Sequence, residues 1–150
     1  MEFFEEKLLE AVRGRAHGES ALMAFRRLQL DSTRNLAAEE TADRIAKAAA
    51  LISASPALQQ REREIVARFT SRLAELLAAE TGAEADEVEA LSVAGALMGT
   101  HRALVAHVRR RVLAGHRGRQ LAADARSQAV RAFARLEDGL GGYAIKRRSA

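Results

Sequence analysis

The chain has 150 residues, 48% hydrophobic and 29% charged, with net charge +4 and no cysteine. These totals suit one globular domain and exclude a disordered chain, a disulfide scaffold and a thiolate metal site. A pI near 10.3 raises the question of nucleic acid, but acids are interspersed with the arginines almost everywhere, as on ordinary solvated helix faces.

Ala, Leu, Arg and Glu dominate, and all four lose little side-chain freedom in a helix. Pro56 is the single proline, so long stretches are free of breakers. The first predicted helix, Glu2 to about Arg13, spaces Phe4, Leu8, Leu9 and Val12 along one face. Gly14 and Gly18 bracket a connector. A second helix runs from about Glu19 to Leu30 on Leu22, Phe25 and Leu28, and Asp31-Ser32-Thr33 reads as its exit. The third starts near Asn35 and carries Ala42, Ile45, Ala49 and Ile52.

At Ser53-Ala54-Ser55-Pro56 the local chemistry is sharper. Pro56 disfavours helix at Ser55, Ser55 can cap the next helix, and proline suits a first helical position. The fourth helix, Pro56 to about Glu80, repeats Leu58, Ile65, Phe69, Leu73 and Leu76 before a stop at Thr81-Gly82. Asp86-x-x-Glu89 resembles a capping box for the fifth. Val88 through Met98 is apolar nearly all round and predicts a central, buried helix, with Gly95 and Gly99 on one face. Beyond Thr100 it turns amphipathic, and Gly115 and Gly118 end it. The sixth spans about Gln120 to Asp138, closes on Gly139, Gly141 and Gly142, and leaves a frayed tail, IKRRSA. The expectation is an all-α bundle of about six helices over residues 1–150.

No segment reaches the roughly 20 apolar residues of a membrane span. The acidic, amphipathic N-terminus is unlike a signal peptide, so a cytoplasmic location is expected. Enzyme constellations are missing. No Glu lies three residues before a His, as helical di-iron sites require. His101 and His107 are about 240° apart around a helix, and His17 and His116 sit in connectors. Ser20, Ser92 and Ser127 lack an elbow context. Glu5-Glu6 and Glu39-Glu40 fall on polar faces. No catalytic residue, metal ligand or cofactor is assigned, and no enzyme is expected. A tight two-helix DNA-reading unit is not found either.

The run GALMGTHRALVAHVRRRVLAG, followed by LAADARSQAVRAFARLEDGL, resembles the C-terminal half of a TetR-family transcriptional regulator. SASPALQQREREIVARFTSRLAELLAAETGA is similar to that domain's middle helices, and FFEEKLLEAV to the end of the helix joining it to the DNA-reading module. The family's fingerprint, an N-terminal helix-turn-helix, is not in this chain. The resemblance implies a bacterial repressor's regulatory domain that homodimerises through its last two helices and admits a small, often apolar effector among its middle helices. DNA would be reached only through a helix-turn-helix outside the chain.

On that reading Leu104, Val108, Val112, Ala129, Phe133 and Leu136 are the candidate dimer stripe. Phe25, Phe69, Leu73, Met98 and His101 are the candidate effector pocket, with His101 as its polar contact. Arg109-Arg110-Arg111, with Arg102, Arg117 and Arg119, suit either an anionic effector group such as acyl-CoA phosphates or a solvated helix end. A second reading is a stand-alone helical dimerisation module that pairs with a full-length partner.

Overall fold

The computed structural model describes residues 2–82 and 87–148. Among them are six α-helices: α1 (Glu2–Arg13), α2 (Ala21–Ser32), α3 (Glu39–Ser53), α4 (Pro56–Thr81), α5 (Val88–Leu113) and α6 (Gly118–Leu140). The fold is all-α, and no helix among these residues is long and apolar enough to cross a membrane.

Helix boundaries follow local chemistry where that chemistry is strong. Ser55 caps α4 by accepting from the Leu58 amide, with Pro56 in the first turn. At its other end Gly82 takes the left-handed φ of +73° that closes the helix. Ser20 caps α2 in the same way, accepting from Met23. The Asp86 capping box lies outside the described residues, and α5 starts without a side-chain cap at Glu87.

The exit expected at Asp31-Ser32-Thr33 is where α2 ends, with Thr33 as its C-cap, but the chain tightens there into a 3-10 turn instead of opening into a loop. Ser32 and Thr33 turn their hydroxyls back onto the Gln29 and Leu30 carbonyls, each at 2.7 Å. Bound this way they do not compete for amide donors, so α2 runs through Ser32 into a 3-10 turn, Thr33–Ala37. The third helix accordingly begins at Glu39 rather than Asn35.

Packing divides into two apolar clusters. The larger gathers Leu8, Leu9 and Val12 of α1, Phe25 of α2, Phe69, Leu73 and Leu77 of α4, Leu97 and Met98 of α5 and Phe133 of α6. The smaller joins Leu36 of the 3-10 turn, Ala42 of α3, Val112 of α5 and Leu121 and Ala125 of α6. Helix α5 lies against α3, α4 and α6 and so serves both.

Two expectations fail here. Helix α5 is not buried all round: Ala90, Val93, Ala94, Leu97 and Met98 face the core, while Val88 is 79% exposed and Leu91, Gly95 and Gly99 are exposed too. The tail is not frayed at Ile145 and Lys146. Ile145 bridges to Ser20, the Lys146 amide donates to the Glu19 carbonyl, and Lys146 Nζ donates to the Arg13 carbonyl. Beneath it Arg15, expected in a loose connector, is buried and donates to the carbonyls of Val12, Glu19 and Ala144 and to Glu80.

Candidate functional site

Where the two clusters fail to meet, a cavity of about 470 Å³ opens between α1, α2, α3, α5 and α6. Leu36, Ala125 and Ala129 form its buried side; Ile45, Ile52, Leu104 and Val108 supply much of the apolar lining; Asn35 and Ala48 lie exposed at its rim. The space opens to solvent at the rim formed by Asn35 and Ala48, so it is accessible to water or to a ligand. Its size falls within the range of small-molecule sites.

Three polar side chains meet beside it, and each sits on the apolar stripe of its own helix. Glu5 precedes Leu8, Leu9 and Val12 at steps of three, four and seven. Gln29 follows Phe25 and Leu22 by four and seven, and His101 follows Leu97 and Ala94 likewise. Helical spacing therefore turns all three inward, and they are 2%, 5% and 3% exposed. Gln29 Nε2 lies 2.6 Å from His101 Nδ1, and His101 Nε2 lies 3.4 Å from Glu5 Oε1. An amide nitrogen only donates, so Nδ1 accepts and the imidazole keeps its proton on Nε2, facing the carboxylate. Phe4 stacks on the same imidazole, centroids 5.5 Å apart and planes at 27°. Glu5 Oε2 is buried and has no hydrogen-bond partner.

Glu5, Val105 and Arg109 also line a second, more polar recess of about 240 Å³, to which Gln59, Glu62, Arg63, His101 and Arg102 contribute. Arg109 is held there by Glu62, its two terminal nitrogens at 3.1 and 2.5 Å from the carboxylate oxygens.

The sequence-derived candidates land differently from expectation. Phe25, Phe69, Leu73 and Met98 are buried in the larger core and none lines either cavity. Phe69 is closed off further by Arg68 and Arg72, whose guanidinium carbons sit 5.5 and 5.2 Å from its ring centroid. His101 alone of the five reaches a recess. On the dimer stripe, Val112, Ala129 and Phe133 are buried against their own chain, and Leu136 packs on the larger core. Leu104, Val108 and Ala129 line the cavity instead. The reason is shared: periodicity marks an apolar face without saying what covers it.

Glu5 and Glu6 also part company. Glu6 stays at the surface with Arg72, at 2.7 and 3.0 Å, and that hydrogen-bonded pairing holds its carboxyl below the ordinary range. Of the arginines read as an anion cluster, Arg109 pairs with Glu62, Arg111 with Asp124 and Arg117 with Asp43. Their acids lie on other helices, which sequence proximity could not reveal.

A shallow groove marks the outer side of α5 and α6. Gly95, Ala96, Gly99 and Ala103 face Gln128 and Ala132 along it, with His107 and Arg110 at one end. A Cβ placed on Gly95 or Gly99 would meet nothing within 4 Å. Among the described residues no group of three His, Asp or Glu is placed to hold a metal ion. The chain matches no protein-family model, no curated protein and no solved structure, so the cavity, its buried polar triad and the open α5/α6 face are the features from which function is argued.

Proposed function

We propose that the chain is an effector-binding and dimerisation domain of a transcriptional regulator similar to the TetR family. The observation that carries this reading is the cavity of about 470 Å³ walled by apolar side chains from several helices. Its mostly apolar lining with a few convergent polar groups suits a small, largely apolar molecule. Part of the wall is Phe4 and Glu5 of α1, the helix that resembles the connection to a DNA reader. An occupant touching α1 would bias its position relative to α3, α5 and α6, and a differential contact of this kind is what shifts a two-state equilibrium.

The second element of the reading is a homodimer across α5 and α6, with the groove of small residues as the contact. Small side chains permit close helix approach, and an isologous interface needs only one such face per copy. This face replaces the stripe expected from the sequence.

The test is direct. Native mass spectrometry of purified protein is expected to find a carried-over small molecule. Ala48→Trp, which sets an indole at the exposed rim, is expected to weaken its binding by about tenfold or more. An effector bound equally well by Ala48→Trp occupies another place and overturns the assignment.

A further inference from the structure

Taking the cavity as an effector site, we infer that it selects an apolar carboxylic acid, whose carboxylate is received by the free edge of the Arg109 guanidinium. This deepens the preceding reading and rests on it.

A guanidinium is planar and carries five N–H donors in fixed directions. Glu62 takes the end of that fork: its oxygens lie 3.1 and 2.5 Å from the two terminal nitrogens of Arg109, and Nε has no part in the pairing. Nε–H and the terminal N–H beside it run parallel along one side of the plane. Such an edge matches the two oxygens of a second carboxylate. Arg109 stands in the wall of both recesses, with its side chain 24% exposed.

The charges around it favour an anion. The polar recess is lined by three arginines, Arg63, Arg102 and Arg109, against two carboxylates, Glu5 and Glu62, a formal surplus of one positive charge. Arg102 precedes Arg109 by seven residues, about two turns, so both share one face of α5 with Val105 between them. Arg63 donates to the neutral Gln60 side chain. Glu5 opposes them from inside the protein, where Oε2 is buried and Oε1 faces His101, so it offers a ligand no contact. The apolar body of the acid lies against Ile45, Leu104 and Val108 in the larger cavity, whose wall also holds Arg109. An ammonium head in the same place would meet a guanidinium and is disfavoured.

A matched series tests this. The chain has no Trp and one Tyr, so naphthalene emission is read against little protein signal. Affinities of the unmodified protein are measured at neutral pH for 1-naphthylacetate, 1-naphthylacetamide, 1-methylnaphthalene and 1-naphthylmethylamine. The acetate is expected to bind about tenfold or more tighter than 1-methylnaphthalene, with the acetamide between them and the amine weakest. Replacing Glu62→Gln and Arg109→Gln together removes one charge of each sign and leaves the surplus unchanged. This double variant is expected to bring acetate and 1-methylnaphthalene within about twofold of each other, with the latter's affinity unaltered. Glu62→Gln alone frees the end of the fork and removes a competing carboxylate, and is expected to tighten the acetate selectively by about threefold or more.

Equal binding of all four, an acetamide equal to the acetate, or tightest binding of the amine overturns the carboxylate inference and leaves the effector cavity standing. An acetate preference that survives the double substitution overturns the assignment to Arg109. No binding of any of the four overturns both the inference and the cavity reading. The rank order in the unmodified protein and the response to Glu62→Gln decide the matter even where the double variant does not fold.

Discussion

Arg15 illustrates how a single residue can hold distant parts of the chain together unseen from the sequence. Its guanidinium reaches two carbonyls nearby, a carboxylate 65 residues away and a carbonyl 129 residues away, all from inside the protein. Arg15→Met removes these donors and leaves buried acceptors unpaired. The expected loss is about 3 kcal/mol of unfolding free energy, checked by urea denaturation; a loss under about 1 kcal/mol would assign the network no structural weight. The local sequence, between two glycines, carries no hint of it. Glu5, Gln29 and His101 are different. Each interrupts an apolar stripe with a polar side chain, and that signal is present in the sequence. Which three would meet was not legible, because 72 and 96 residues separate His101 from its two partners.

At the scale of the helix, what local chemistry dictates was readable and what packing dictates was not. The Ser55-Pro56 start of α4 follows from two adjacent residues, and Ser55→Ala is expected to cost about 1 kcal/mol, read as a lower urea midpoint with unchanged slope. The arginine run on α5 shows the other side. Asp124 of α6 accepts a hydrogen bond from His107 Nε2 at 2.7 Å and forms an ion pair with Arg111, whose Nε lies 3.1 Å away, tying α6 to α5. The hydrogen bond from His107, with the charges of His107 and Arg111, holds its carboxyl below the ordinary 3.8. A depressed carboxyl favours the folded state above its unfolded value and loses that contribution as pH falls through the folded one. Asp124→Asn is therefore expected to lower stability at neutral pH by at most about 1 kcal/mol, since the pair is partly solvated. The difference from the parent protein should shrink as pH falls below the ordinary 3.8 and through the lowered folded value, which paired urea titrations at several pH values would check. A difference that persists in acid would assign the effect to packing.

For the whole molecule the open question in the sequence was which apolar face turns inward. Helix α5 is apolar around most of its circumference between Val88 and Met98, so composition alone allowed burial on every side. The larger side chains, Leu97 and Met98, went to the core with Val93, and the glycines were left outside with Leu91 and Val88. A solvated helix has no need of two glycines, each costing about 1 kcal/mol relative to Ala. A second helix brought close against them gives that cost a purpose. Gly99→Arg separates assembly from folding, because a Cβ there meets nothing in its own chain within 4 Å and the longer side chain starts in an open groove. Arginine is also the better helix former, so the isolated chain should remain folded, with unchanged far-ultraviolet circular dichroism. In the proposed dimer the same substitution would place two guanidinium groups against each other across the two-fold axis. Sedimentation equilibrium at micromolar concentration is expected to give a dimer for the parent chain and a monomer for Gly99→Arg. A variant that stays dimeric would move the interface away from the α5/α6 groove, and a parent chain that sediments as a monomer would remove dimerisation from the proposed function altogether.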